Sequence, residues 1–255
     1  MKDQFFADER DFMKYDLWIE LARYLGDSAS VTFIPMLTRN DATKQGGKTR
    51  YDCGKRNPRL YAFLRHCLDS NNRRIVRLRD FFRKHPQGCY YPYLDDGSKC
   101  GYFRHEGRQA YFTEIRKRLL SDAVILIDPD NGLETRGPYW KKNPEKYVRY
   151  SEVAELARRS TGKRAILVIQ FCPKGANARE KFLRCHADKL RKPMDGWNVR
   201  WLAPKTGNGK VGDVAFFVLS RFADRMVVSR FMRNYGQRHQ MITDCGGRPA
   251  SDCSK

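Results

Sequence analysis

The sequence has no run of about 18 apolar residues, so no ordinary membrane-spanning helix is expected. It has 8 cysteines but no CxxC pair, and paired-cysteine zinc and redox motifs are not indicated. It has no internal repeat and no low-complexity tract, which argues against a solenoid. Above all it is short of acid: 29 Asp and Glu stand against 50 Lys and Arg, a formal net charge of +21. Such a charge repels itself in a compact chain and is balanced by a polyanion, either nucleic acid or an anionic membrane, and nucleic acid is the partner expected first. MKDQFFADERDF carries acids where a secretion signal would carry its apolar stretch. A cytoplasmic location with mostly reduced cysteines is therefore expected, with no membrane and no obligate protein partner.

What is present fits one large domain. The chain has 255 residues, of which 41% are hydrophobic, enough for a real core. One α/β domain is expected over 1–240, with a polar tail over 241–255. Helical spacing runs from about 8 to 26 and stops at Gly26. SVTFIPMLT reads as a strand and RLYAFLRHCLDS as a helix, with a basic loop between them. RQAYFTEIRKRLLSD reads as a helix leading into the strand 123–127. Beyond it, helices over NPEKYVRYSEVAELARRSTG, ANAREKFLRCHADKLRKPM and ADRMVVSRFMRNYGQRH alternate with the strands RAILVIQF, NVRWLAP and VAFFVLS. Nearly continuous apolar strands alternating with helices predict a mostly parallel sheet flanked by helices on both faces. Ligands of such sheets bind beyond the carboxyl ends of the strands. Asp128–Gly132, Gln170–Pro173 and Ala203–Lys205 fall at such ends.

One stretch asks for chemistry. In AVILIDPDNGLE an apolar strand stops at Asp128, Pro129, Asp130, Asn131 and Gly132. These are good turn residues, and a plain turn is one reading. Two acids in three residues at the active edge of a basic protein are more than a turn needs. Asp128 follows four apolar residues, so its carboxylate is expected to be partly desolvated. A second cluster, His85, Cys89, Cys100 and His105, has four soft ligands that suit zinc if the loop brings them together. The alternative there is a Tyr-rich hairpin with incidental thiols.

LIDPDNG resembles the first catalytic motif of uracil-DNA glycosylases, an apolar strand running into Gln-Asp-Pro-Tyr-His-Gly. The shared frame is Asp128, Pro129 and Gly132. The family's second motif, His-Pro-Ser after a late strand, is absent, because VAFFVLSRF has no histidine. PMLT, DPDNGLE, KYVRYSEV and the strand ending in IQF together resemble a bacterial family associated with an anti-phage DNA glycosylase that excises glucosylated hydroxymethylcytosine. The resemblance implies a uracil-DNA-glycosylase-like sheet with an elaborated N-terminal half. It also implies removal of a modified, flipped base from double-stranded phage DNA without a cofactor or metal. Asp128 would stabilise the sugar cation and orient water, with Asn131 beside it. Pro129, Asp130, Gln170 and Asn40 are the expected substrate contacts, Asp41 is placed by its position to reach the same edge or to form a turn, and Glu134 is a reserve acid. Lys174, Arg179, Lys205, Lys210 and Arg56 are the expected DNA contacts. Lys44, Lys48, Arg50 and Lys55 would clamp the other strand, and Tyr90, Tyr91 and Tyr93 would stack on bases.

Three other readings remain open at this level. DPDN shares two positions with the strand end of amino-methylating DNA methyltransferases, whose Gly-rich turn finds only YLGDSAS and KTGNGKVGD here. A nuclease would hold magnesium on Asp128, Asp130 and Glu134. A non-enzymatic nucleic-acid-binding protein would use the motif as a turn.

Overall fold

A computed structural model of the chain describes residues 1–26, 29–41, 49, 51, 56–83, 89–90, 102–135, 137–162, 165–173, 176–206 and 212–244. In chain order its main elements are α1 (Glu9–Leu25), β1 (Ser30–Pro35), α2 (Pro58–Asp69), α3 (Leu78–Arg83), β2 (Cys89–Tyr90) and α4 (Arg108–Thr113). They continue with β3 (Ala123–Asp128), β4 (Gly132–Leu133), α5 (Pro138–Lys142), β5 (Tyr147–Val148), α6 (Tyr150–Arg159) and β6 (Ala165–Phe171). The last are α7 (Ala176–Arg191), β7 (Trp197–Pro204), β8 (Val214–Arg221), α8 (Arg225–Arg238) and β9 (Met241–Thr243). Seven strands form one sheet in the order β2-β1-β3-β6-β8-β7-β9, and β4 pairs with β5 apart from it.

The sheet is mostly parallel because helices carry the chain back between β1, β3, β6 and β7. Strand β3 pairs parallel with β1 on one side and with β6 on the other. Its residues alternate between two buried cores. Val124 and Leu126 face α1, α2, α3 and α8, whereas Ile125 and Ile127 face α4, α6 and α7. Burial on both faces is why the strand reads as an unbroken apolar run. The Trp18 indole of α1 donates to the Val124 carbonyl at 2.7 Å and ties that helix to the sheet.

Four departures from the sequence reading have local causes. Strands β7 and β8 are antiparallel neighbours, since the short connection between them leaves no room for a crossover helix. The helix from Arg108 stops at Thr113, where Arg159 takes the Phe112 and Ile115 carbonyls that further turns would use. The helix expected from Asn143 begins only at Tyr150. Tyr147 and Val148 pair with the loop after β3 instead, and the Glu152 carboxylate accepts from the Arg149 amide at 2.7 Å to start the helix there. Residues Met241–Thr243, expected in the tail, add β9 to the edge of the sheet.

No helix among the described residues is long and apolar enough to cross a membrane. Cys67 and Cys172 are free thiols, and Cys185 is disulfide-bonded.

Candidate functional site

The carboxyl ends of β1, β3 and β6 open onto a cleft of about 820 Å³, lined by the N-terminal segment, the start of α1 and the loop after β3. This is within the usual range for small-molecule sites. Asp128, Pro129, Asp130 and Asn131 all line it, as do Asp41 and Arg179.

Asp128 is the last residue of β3 and is 2% exposed. Its Oδ2 accepts from Lys14 Nζ at 2.6 Å, and the same ammonium lies 2.6 Å from Asp11 Oδ1. One buried cation thus serves two buried carboxylates. Two turns of backbone logic put Asp11 there. Asp8 caps α1 by accepting from the Asp11 amide at 2.9 Å, and Asp11 accepts from the Ala7 amide at 2.9 Å. Ala7 has φ 71, a left-handed conformation that this bond supports. Burial pushes the Asp11 carboxyl up to about 7, an effect the Lys14 charge reduces and the neighbouring Asp8 and Asp128 charges add to. For Lys14 the two carboxylates outweigh burial and raise its pKa.

Asp11 titrates at 3.8 when unfolded and at about 7 when folded. Between these values the folded state holds the extra proton, so this group's contribution to stability falls as pH rises through the window. Asp11→Asn keeps the acceptor for Ala7 and removes that titration. Its unfolding free energy is expected to fall less than the wild type's over the window, as read by urea denaturation at several pH values.

Asp130 is the second anion. The N-terminal amine and Lys2 Nζ each lie 3.4 Å from it, Lys146 Nζ lies at 4.0 Å, and Thr38 Oγ1 donates at 3.2 Å. Burial alone would raise its pKa, but these cations outweigh it and hold the carboxyl below its ordinary value. Lys2 also bonds Asp41 at 2.5 Å. Both motif carboxylates therefore face ammonium groups where a magnesium site would place the metal. Glu134, the third ligand of that reading, accepts from the Tyr150 amide at 2.9 Å. Among the described residues no group of three His, Cys, Asp or Glu is placed to hold a metal ion.

The loop after β3 is built to a fixed shape. The Asn131 amide donates to the Lys146 carbonyl at 2.8 Å, and Gly132 has φ 108. A Cβ on Gly132 would lie 2.6 Å from Gln170 Nε2. Gln170 is buried behind the loop, with Oε1 accepting from the Leu133 amide and Nε2 donating to the Phe171 carbonyl, both at 2.8 Å. Expected as a substrate contact, its amide is spent on positioning the loop. Gly132→Ala combines a strained φ with that overlap. It is expected to cost about 1–3 kcal/mol, measured as a lower unfolding midpoint in urea.

Other expected residues lie elsewhere. Asn40 is exposed at the rim and accepts from the Gln4 amide at 3.1 Å, pinning the N-terminal segment. Arg56 donates to the His239 carbonyl at 2.9 Å, and the Lys205 amide bonds Gln240 at 2.9 Å, so both sit by the end of α8 and outside the cleft lining. Lys174 and Lys210 lie outside the described residues, as do Lys44, Lys48, Arg50, Lys55, Tyr91, Tyr93, His85 and Cys100. His105 is exposed.

Sequence reasoning missed Lys14, Asp11, Asp8 and Lys2. A signal for the first two was present: Asp11, Lys14, Trp18, Ala22 and Leu25 recur at helical spacing, so the two charges continue the buried stripe of α1. At the cleft mouth Arg10 stacks over Phe171 and bonds Asp213 at 2.6 Å, bridging α1 and the start of β8.

No protein-family model matches the chain, and no curated protein matches it with significant similarity.

Proposed function

We propose that the protein is a DNA glycosylase that flips a modified base out of duplex DNA and cuts its N-glycosidic bond, leaving an abasic site. The base implied by the motif resemblance is glucosylated hydroxymethylcytosine of phage DNA, and the setting is anti-phage defence in the cytoplasm. One observation carries the reading: a buried strand-end carboxylate, Asp128, anchored by Lys14 at 2.6 Å, lines a cleft large enough for a nucleoside in a chain of charge +21. In this reading the parallel part of the sheet is a uracil-DNA-glycosylase-like frame, and α1 to α3 belong to an elaborated N-terminal half.

The chemistry follows from the placement. Bond breaking leaves positive charge on the sugar, and a preorganised anion lowers the energy of that state. Lys14 holds Asp128 by a charge-assisted bond to Oδ2, which leaves Oδ1 for water or the sugar. Asn131, on the same wall, is the neutral group next to the reacting bond. Asp130 is matched by three cations, so its role is to hold the N-terminal segment as a wall of the pocket. Arg179, at the rim, supplies a phosphate contact.

The test is an alkali-cleavage assay in EDTA on three DNAs: phage DNA carrying glucosylated hydroxymethylcytosine, uracil DNA and unmodified DNA. Strand breaks in the glucosylated DNA alone are expected. Absence of breaks in all three would overturn the reading for these bases, and breaks before alkali would point to a nuclease.

A further inference from the structure

We infer that the outer face of α8 is a binding surface for the phosphate backbone of duplex DNA, forming a track that leads to the sheet edge carrying the cleft. The helix covers 14 residues, about 21 Å, and contains no acidic residue. Its inner face, Val228, Phe231, Met232 and Tyr235, is buried in the core. Its outer face is exposed and carries Arg225, Arg230, Arg233 and Arg238, with the amides Asn234 and Gln237 between them. Arg221 is exposed just before the helix.

The direction of the helix gives the row its meaning. Strand β8 runs against β6, so α8 starts at the edge of the sheet opposite the cleft. It ends next to the carboxyl end of β7, which points the same way as β6. There His239 takes the Arg56 bond and Gln240 takes the Lys205 amide. Of the basic residues expected to contact DNA, Arg56 and Lys205 therefore sit at that edge, beside the end of the row.

Part of the row is already engaged. Arg225 stacks on Phe222 and Arg238 lies 3.6 Å from Glu20. Arg230 and Arg233, by contrast, form no ion pair among the described residues, although they occupy the middle of the row. Guanidinium groups present paired donors that match phosphate oxygens, and a single-sign row matches a single-sign polymer. An anionic membrane is the other polyanion. Phe222, Met226 and Val227, 53%, 69% and 43% exposed, would suit it at the first turn. Beyond that turn the outward residues are arginines and amides, whereas a helix lying in a bilayer surface turns its apolar face outward. The full length of α8 therefore favours nucleic acid.

This rests on the nucleic-acid part of the proposed function and not on the excision chemistry, and the test keeps them apart. The full chain, Arg230→Gln/Arg233→Gln, and Arg158→Gln/Arg184→Gln on the other face of the sheet are titrated with an unmodified duplex at several salt concentrations. Glutamine suits exposed helix positions, and equal unfolding midpoints confirm the folds. The α8 variant is expected to bind about tenfold or more weakly, with a log–log salt slope shallower by about 2. The control pair should bind as the wild type does. Unchanged affinity and slope in the α8 variant, or an equal loss in the control pair, would overturn the proposal. So would binding to phosphatidylserine vesicles that the α8 variant loses while its duplex binding is intact. A track that passes this test in a protein that releases no base would leave the surface standing and remove the excision reading alone.

Discussion

Lys14→Met is expected to cost about 3–5 kcal/mol of folding free energy, because it strands buried carboxylates without their cation. Lys14 is 3% exposed at its side chain and lies 2.6 Å from an oxygen of each of Asp11 and Asp128. Methionine fills similar space, so the effect isolates charge from packing. Lys14 also lowers the Asp11 pKa against the burial that raises it to about 7. Without it Asp11 binds its proton still more tightly in the folded state than in the unfolded chain. The loss of stability is therefore largest above neutrality and shrinks as pH falls, because the unfolded chain then binds the same proton. Asp11→Asn added to Lys14→Met should recover part of the loss, as a coupled pair requires. Urea denaturation of the two variants on either side of neutrality measures both effects. A cost under about 1 kcal/mol, independent of pH, would contradict a buried triad.

Under the proposed excision chemistry, Asp128→Asn should have the opposite profile, with little lost in folding and nearly everything lost in base release. The variant keeps Lys14 paired with Asp11, so no buried charge is left alone. Removing a preorganised charge aimed at a developing charge costs roughly 10³-fold in rate. Base release from glucosylated DNA is expected to fall by about that factor while duplex affinity stays within twofold or so, since phosphate contacts set binding. Single-turnover rates with saturating enzyme read the first quantity and a binding titration reads the second. A variant that loses binding and keeps its rate when saturated would move Asp128 from the chemistry to substrate capture.

These two residues show where the sequence was legible. The place of Asp128 in the cleft lining could be read because a strand that is apolar on both faces has few ways to end, and clefts of parallel sheets open beyond such ends. The sheet itself was readable from the same runs, Ala123–Ile127 and Ala165–Ile169 above all. Lys14 escaped because a lysine inside an amphipathic pattern reads as exposed until a partner 114 residues away is placed against it. Gln170 and Asn40 lie at the carboxyl edge of the sheet, as read, but sequence gives no direction to a side chain. Gln170 turns back to hold Leu133, and Asn40 turns to Gln4. The boundary at Asn143 failed for a related reason. Tyr147 and Val148 carry helical spacing, yet a two-residue pairing with Gly132 and Leu133 takes them.

The most direct measurement is the release of free base, detected by chromatography and mass, from glucosylated phage DNA in EDTA. Wild-type protein and Asp128→Asn would be compared at equal duplex occupancy. A DNA glycosylase centred on Asp128 predicts glucosylated hydroxymethylcytosine from the wild type and almost none from the variant. Equal release from both, or phosphodiester products with no free base, would contradict it.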